Sequence, residues 1–417
     1  MRSGLEPSAT AEPLTSSKGR YYRPELDLVR FLAFFLVFAS HTLPSTRDPR
    51  VASLLKGFAP AFSAFSDACD FGLSLFFTLS AFLICELLLR EREATGAIGV
   101  KQFYIRRILR IWPLYYLGMA LGVAAVLLPG VDPASAVKMG WFAIFMGAWY
   151  CTVHGGLLNP ANVLWSISVE EQFYLFAPWI VKYLTRKSLY VFCLAIILVA
   201  NATLLHLGRV GAPNYAVWFN SPVQFECFAG GILLSLVLRG RMPRLAIWQR
   251  MVVLAISFSC WFYACYGLHA IFGSSGQRNP GSWHLVCGYA LAALGSVLVL
   301  VAFLGVRSNL LPNWAIHLGR ISFGLYVFHD FAIMLTNGLI LQPLASFKVG
   351  IVNALKGPIF MTNIVLSLAL TFVAAALSYR YLETPFLKMK ERHSVIESEP
   401  VGAVDNRPNR SGLAERG

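Results

Sequence analysis

The first apolar run of the chain contains three ionisable residues that could act together. Residues 23–43 read RPELDLVRFLAFFLVFASHTL, and Asp27, Arg30 and His41 are the candidate catalytic residues in them. On a helix, Arg30 and His41 share one face about 16 Å apart, with Asp27 one turn before Arg30. His41 is the candidate general base, because imidazole titrates near neutrality. Alternatively, Asp27 and Arg30 form only an interfacial pair and His41 lies among lipid headgroups.

A second run, LWSISVEEQFYLFAP at residues 164–178, carries two adjacent glutamates. Charged groups are costly inside a bilayer, so at least one glutamate should face a polar cavity or a partner. Because Glu170 and Glu171 point about 100° apart, we expect different roles for them. Glu170 is a candidate catalytic residue that orients the His41 imidazole or binds the substrate whose proton His41 would accept. Trp165 and Ser166 are candidate substrate-binding residues, although Glu171 and Trp165 could instead be interfacial anchors.

A basic segment, KQFYIRRILRIWPLYY at residues 101–116, precedes the third apolar run. Lys101, Arg106, Arg107 and Arg110 are candidates for binding a phosphorylated cofactor, because guanidinium groups suit phosphate oxygens. Arg107 and Arg110 share one helix face. Topological anchoring and contact with anionic lipid would account equally well for this segment.

Two late segments supply further polar residues. LGRISFGLYVFHD contains Tyr326 and His329, and SYRYLETPF contains Glu383. We expect these three residues to bind substrate, although a buried His329 could simply be a hydrogen-bonded core residue.

Composition excludes an ordinary soluble protein. Of the 417 residues 57% are hydrophobic and 13% are charged, whereas a charged share near one quarter is usual. The net charge of +14 is better explained by cytoplasmic loops of a bilayer protein than by a nucleic-acid partner. The eight cysteines include no CxxC pair, so we predict no disulfide framework and no metal site.

The sequence predicts an all-α integral membrane protein with about ten transmembrane helices in one bundle. Runs of the required length, roughly 20 residues, occur at about 26–43, 69–89, 111–129, 164–184, 188–207, 221–238, 250–268, 284–304, 316–341 and 361–381. A shorter stretch, Met139 to Cys151, is predicted to be re-entrant or interfacial, because a crossing there would break the positive-inside rule. Residues 1–22 and 391–417 should be disordered cytoplasmic tails around a domain at 23–390.

Taken together, these segments resemble the acyltransferase family 3 membrane proteins, which O-acylate polysaccharides, antibiotics and other hydroxylated acceptors in bacteria. The resemblance covers about Arg23 to Pro385 and includes the ten-residue spacing between Arg30 and His41, FFTLSAFLI, RRILRIWPLYY, WSISVEEQFYLFAP, ISFGLYVFH and the terminal ETP. It implies an acyl-CoA donor as co-substrate with no permanently bound cofactor, a hydroxyl acceptor, and essential roles for Arg30 and His41. It also implies the bacterial inner membrane.

The combined hypothesis is an O-acyltransferase that moves an acyl group, most simply acetyl, to a hydroxyl of a cell-surface glycan or other acceptor. CoA phosphates would dock on the cytoplasmic arginines, and the pantetheine arm would run past Arg30 to His41. The chain departs from the family pattern by Ala81, where a glycine is usual, and by having no hydrolase-like C-terminal domain, so a separate periplasmic partner could complete the reaction. A proton-coupled transporter of a small polar solute and a non-catalytic sensor are the alternatives.

Overall fold

The computed structural model describes residues 19–44, 46, 49–128, 130–272, 278–338, 350–393 and 396–397, and the described part is almost entirely helical. The first half contains nine helices: α1 (Pro24–Thr42), α2 (Pro49–Leu55), α3 (Ala59–Cys69), α4 (Gly72–Thr95), α5 (Val100–Ala124), α6 (Ser135–Ala143), α7 (Gly147–His154), α8 (Leu164–Tyr183) and α9 (Arg186–Arg209).

The second half continues with α10 (Asn214–Trp218), α11 (Ser221–Leu238), α12 (Ile247–Tyr266), α13 (Ser282–Phe303), α14 (Asn313–Arg320), α15 (Ser322–Thr336), α16 (Gly350–Ser378) and α17 (Thr384–Glu391). A π-helical turn, Tyr379–Glu383, separates the last two. Helix α1 packs against α4 and α15, and α4 also packs against α8, while α9, α11, α12 and α13 form the adjoining half of the bundle.

The number of spans differs from the expected ten. Seven helical segments of the described residues are long and apolar enough to cross a membrane, or eight if the bent pair α14–α15 is one span. Such a set of apolar helices makes the chain an integral membrane protein. Helices α1 and α8 have the length of a span, but they carry Glu25, Asp27, Arg30, Glu170 and Glu171. These charged residues make the two helices too polar to be counted as spans, which accounts for the lower count.

The predicted run 316–341 is not one straight helix. Helices α14 and α15 meet at an angle of 74°. Gly319, at the end of α14, approaches the backbone of Asp27 so closely that a Cβ atom would overlap it. The bend therefore brings Arg320 beside α1, where it can face Asp27.

The segment Met139 to Cys151 contains parts of two short helices. Helices α6 and α7 are 9 and 8 residues long and are separated by a turn in which Phe145 has a positive φ of 59°. Carbonyls at the end of α6 accept hydrogen bonds from Tyr115 and Tyr116, and the Phe145 carbonyl of the turn accepts one from Gln172. Neither helix is long enough to cross a bilayer, and the expectation of a re-entrant or interfacial segment stays a prediction.

Ala81 packs where α4 meets α11. A Cβ atom added at Gly231 of α11 would overlap the Thr78 carbonyl and contact the Ala81 methyl group. Small residues allow helices to approach closely. At this contact the family pattern places a glycine on α4, whereas this chain has Ala81 on α4 and a glycine, Gly231, on the facing helix.

Parts of both predicted tails are described. Gly19–Arg20 and Ile396–Glu397 pair as a two-stranded parallel sheet, and α17 extends to Glu391. The described part also includes Tyr21, Tyr22, Arg392 and His393. The rest of both tails lies outside the described part of the chain, so the predicted disorder there stays a prediction.

We expect Gly231→Ala to lower the midpoint of thermal unfolding, because the added methyl group forces α4 and α11 apart. Overpacking of this kind costs roughly 1–3 kcal/mol. Tryptophan fluorescence of the detergent-solubilised protein measures the midpoint. Gly140→Ala is the control, since no atom lies within 4 Å of its Cβ position. Equal midpoints for both variants would contradict the close contact.

Candidate active site

A cavity opens among α1, α4, α5, α8 and α15. Its polar lining residues are Tyr21, Tyr22, Arg23, Asp27, Arg30, Ser80, Arg107, Arg110, Ser166, Glu170, Tyr174, Ser322 and Tyr326. Its apolar lining includes Phe76, Phe77, Leu83, Ile84 and Leu87 of α4. The cavity thus combines several guanidinium groups with an apolar wall, and it brings together segments that lie 300 residues apart in the chain.

Asp27 is the central carboxylate of one wall. It forms an ion pair with Arg30, accepts a hydrogen bond from the Tyr22 hydroxyl at 2.9 Å, and lies 3.9 Å from Nε of Arg320. Arg320 also donates to the Tyr22 hydroxyl at 2.9 Å. Burial, followed by the Asp27 carboxylate, raises the pKa of Tyr22 to about 12, so this phenol stays protonated. The network fixes Arg30 with its side chain facing the cavity.

The basic segment divides into two groups. Arg107 and Arg110 line the cavity, and the Arg107 guanidinium lies 5.7 Å from the centre of the Tyr174 ring. Arg106 instead forms an ion pair with Glu91 at 2.9 Å and donates to the His393 carbonyl. Lys101 is exposed on the first turn of α5. Of the four predicted cofactor-binding residues, the structure therefore brings Arg107 and Arg110 to the cavity.

Glu170 and Glu171 have different surroundings, in agreement with their angular separation. Glu170 lines the cavity and accepts a hydrogen bond from the Tyr174 hydroxyl at 3.3 Å. That hydroxyl also bonds Ser80. Glu171 accepts a hydrogen bond from the Trp112 indole at 3.3 Å. Glu170 thus contacts the arginine side of the cavity, whereas the carboxylates that face His41 are Asp330 and Asp70.

Ser166 and Tyr326 line the cavity side by side. Their hydroxyl oxygens are 2.7 Å apart, and both hydroxyls lie within hydrogen-bond distance of the Val163 carbonyl. Trp165 is buried and packs edge to face on Phe219, so it does not occupy an interfacial belt position. Two of these three predicted substrate-binding residues face the cavity.

His41 and His329 meet directly behind Tyr326. The ring centres of the two histidines are 5.1 Å apart, and those of Tyr326 and His329 are 5.5 Å apart. His329 is fully buried, whereas His41 is exposed. Potential ligand atoms of His41, His329 and Asp330 all lie within 4.8 Å of one another. The arrangement can accept a proton or hold a cation.

Glu383 is placed near the start of α15. It is buried at the end of the π-helical turn and accepts a hydrogen bond from Ser378 at 3.3 Å. A Cβ atom at Gly324 would lie 3.3 Å from its carboxylate. Glu383 thus packs behind the segment that carries Ser322, which lines the cavity.

Several cavity residues were absent from the predicted site. Ser80, Tyr174 and Tyr22 line the cavity, and Arg320 and Asp330 contact predicted site residues. The polar residue Ser80 within FFTLSAFLI was a usable signal for α4. No signal in the sequence links Tyr22 with Arg320, because nearly 300 residues separate them.

The chain belongs to acyltransferase family 3: the family model described as an acyltransferase domain matches residues 23–381. This confirms the resemblance. Among curated relatives, the peptidoglycan O-acetyltransferase OatA of Listeria monocytogenes is 25% identical over 416 residues, with 93% of this chain and 61% of the relative covered. The O-acetyltransferase OatA of Staphylococcus aureus strain NCTC 8325 is 23% identical over 337 residues, with 76% and 52% covered.

A Staphylococcus aureus strain COL protein named as an O-acetyltransferase is 26% identical over 338 residues, with 76% of this chain and 52% of the relative covered. The chain thus spans about half the length of the curated relatives that it matches. No solved structure matches the chain.

We expect Asp27→Asn to destabilise the protein, because it leaves Arg30 and Arg320 without their shared carboxylate. Losing one partner of a buried pair costs about 3–5 kcal/mol, and we expect roughly half of that because both arginines are partly exposed. Thermal unfolding in detergent measures the change. Asp132→Asn is the matched control, since it removes the Lys138–Asp132 pair, in which both side chains are about one third exposed, and should have little effect. Similar losses in the two variants would refute a special role for Asp27.

Proposed function

We propose that this protein is a membrane O-acyltransferase that moves an acyl group, most simply acetyl, from acyl-CoA to a hydroxyl group of a glycan. The observation that carries the proposal is a single cavity lined by Arg30, Arg107 and Arg110 together with Ser166 and Tyr326. His329 lies beside Tyr326, and His41 lies beside His329. Family membership favours transfer chemistry over the transporter and sensor alternatives.

The cavity matches the chemistry of an acyl-CoA along its length. Guanidinium groups bind phosphate oxygens through paired, charge-assisted hydrogen bonds, so Arg107 and Arg110 are suited to the CoA phosphates. The α4 wall of Phe76, Phe77 and Leu83 suits an apolar or thioester-bearing arm. From Arg30 to His41 the rise along α1 is about 16 Å, comparable to an extended pantetheine arm.

The proposed step balances without a metal or redox group. Nε2 of His41 accepts the proton of the acceptor hydroxyl as its oxygen attacks the thioester carbonyl. The carbon–sulfur bond breaks, the new ester forms, and the CoA thiolate receives the proton from His41. When the Ser166 hydroxyl donates to the Tyr326 oxygen, the Tyr326 hydroxyl can turn from the Val163 carbonyl and donate to the oxyanion that forms in between.

The remaining predicted residues take supporting roles in this proposal. Glu170 holds Tyr174 on the arginine side of the cavity, and Glu383 packs behind α15. The Listeria relative is named as a peptidoglycan O-acetyltransferase, which favours a cell-wall or cell-surface glycan as acceptor. A separate periplasmic protein that delivers the acyl group to the final glycan is the partner in this proposal.

We expect Arg107→Gln with Arg110→Gln to weaken CoA binding at least tenfold, because two phosphate-binding cations are lost. Isothermal titration of the purified protein with CoA measures the affinity. The native affinity should also fall as salt rises, and that dependence should flatten in the double variant. Lys101→Gln is the matched control and should bind normally. Unchanged binding in the double variant would support the lipid-anchoring alternative.

We expect His41→Gln to lose transfer by a factor of 100 or more, the range that a general base contributes. The amide keeps hydrogen bonding but cannot accept the proton, so CoA binding should persist. Loss of thioester from labelled acetyl-CoA measures the rate. In the native protein the rate should fall as pH falls, since a protonated imidazole cannot act as a base. Near-normal turnover in the variant would end the proposal for His41.

We also propose the bacterial inner membrane, with both termini cytoplasmic. Helix α9 tests the orientation, because Lys187 lies at its start and Arg209 at its end. In a background without reactive cysteines, Lys187→Cys in intact cells should resist a membrane-impermeant thiol reagent. Arg209→Cys should react. If Lys187→Cys reacts and Arg209→Cys resists the reagent, α9 crosses the membrane in the opposite direction and the proposed orientation is wrong. Ser275, another expected outer position, lies outside the described residues.

A further inference from the structure

Three side chains that can each donate a lone pair to a metal ion lie close together at the C-terminal end of α1. His41, His329 and Asp330 each offer one potential ligand atom within 4.8 Å of the other two. The Nε2 atom of His329 is buried and has no hydrogen-bond partner among the described residues. A buried polar atom without a hydrogen-bond partner lowers the stability of the folded protein, and a bound ligand would remove that cost.

The hydrogen bonds of both rings identify which nitrogen carries the lone pair. Nδ1 of His41 lies 2.9 Å from the Val37 carbonyl, and Nδ1 of His329 lies 2.5 Å from the Tyr326 carbonyl. A carbonyl oxygen only accepts, so each Nδ1 must carry a hydrogen. Each neutral ring therefore has its free lone pair on Nε2. Metal-binding histidines commonly show this pattern, in which the other ring nitrogen donates to a backbone carbonyl.

Two imidazoles and one carboxylate form a donor set that suits zinc. Imidazole ligands favour Zn²⁺ over Mg²⁺ or Ca²⁺, which prefer oxygen donors. Zinc–nitrogen distances of about 2.0–2.1 Å place tetrahedral ligands roughly 3.4 Å apart, so separations within the group must shorten by up to about 1.4 Å. The exposed His41 and half-buried Asp330 leave room for that movement, and they leave an entry path for the ion.

We propose that His41, His329 and Asp330 bind one Zn²⁺ ion, and that this ion inhibits acyl transfer by occupying the lone pair of His41. The proposal of zinc binding does not depend on the proposed function, whereas the proposal of inhibition rests on the function of His41 as a base. The fourth position of the ion remains available to water or an anion.

Binding is tested with the metal alone, on the detergent-purified full chain after chelator treatment. A Cys287→Ser background is used, because that thiol is exposed. Titration with Co²⁺, a coloured substitute for zinc, should give tetrahedral absorption bands at one ion per chain, and Zn²⁺ should abolish them. His329→Gln and Asp330→Asn should each weaken binding at least tenfold. His154→Gln, which changes an exposed histidine of α7, is the matched control.

Inhibition is tested separately by following thioester loss. Micromolar Zn²⁺ should slow the native protein, a chelator should restore the rate, and Asp330→Asn should need at least tenfold more Zn²⁺ for the same fractional inhibition. Failure of Co²⁺ to bind, or equal binding by all variants, would overturn the site. Binding without inhibition would overturn the regulatory half. Absence of transfer under any condition, with normal Co²⁺ binding, would instead count against the proposed function.

Discussion

A carboxylate inside an apolar helix bundle must be surrounded by donors and cations, and Asp27 is held in this way by Arg30, Arg320 and Tyr22. The arrangement joins the start of the chain to the bend between α14 and α15. It also orients Arg30 toward the cavity and places α15 beside α1. The positions of Tyr326 and His329 depend on that packing, so one ion-pair network controls the geometry of the whole candidate site.

The cavity separates two kinds of chemistry along one helix. Its arginines are cationic groups of the kind that recognise phosphate, whereas its Ser166 and Tyr326 hydroxyls suit acyl transfer. The imidazoles suited to proton transfer adjoin this second region, with His329 beside Tyr326 and His41 beside His329. Helix α1 contributes Arg30 to the first region and His41 to the second. In the proposed mechanism, this spacing of about 16 Å matches the length of the donor's pantetheine arm.

Much of the helical arrangement was predictable, because long apolar runs follow directly from the thickness of a bilayer. The run 221–238 agrees with α11 to the residue, and the different contacts of Glu170 and Glu171 follow from helix geometry. Tertiary pairings were not predictable from local sequence. The Ser166–Tyr326 contact joins residues 160 positions apart, and the bend at Arg320 arises from packing against α1.

Photo-crosslinking tests the central claim most directly, because it reports where the acyl group of the donor lies. An acyl-CoA with a diazirine in its acyl chain would be irradiated in the presence of the native protein, and labelled peptides would be identified by mass spectrometry. The account predicts labels on the lining residues Phe76, Ser166 and Tyr326, removed by excess CoA. Labels confined to the α9–α12 half of the bundle, or insensitive to CoA, would contradict it.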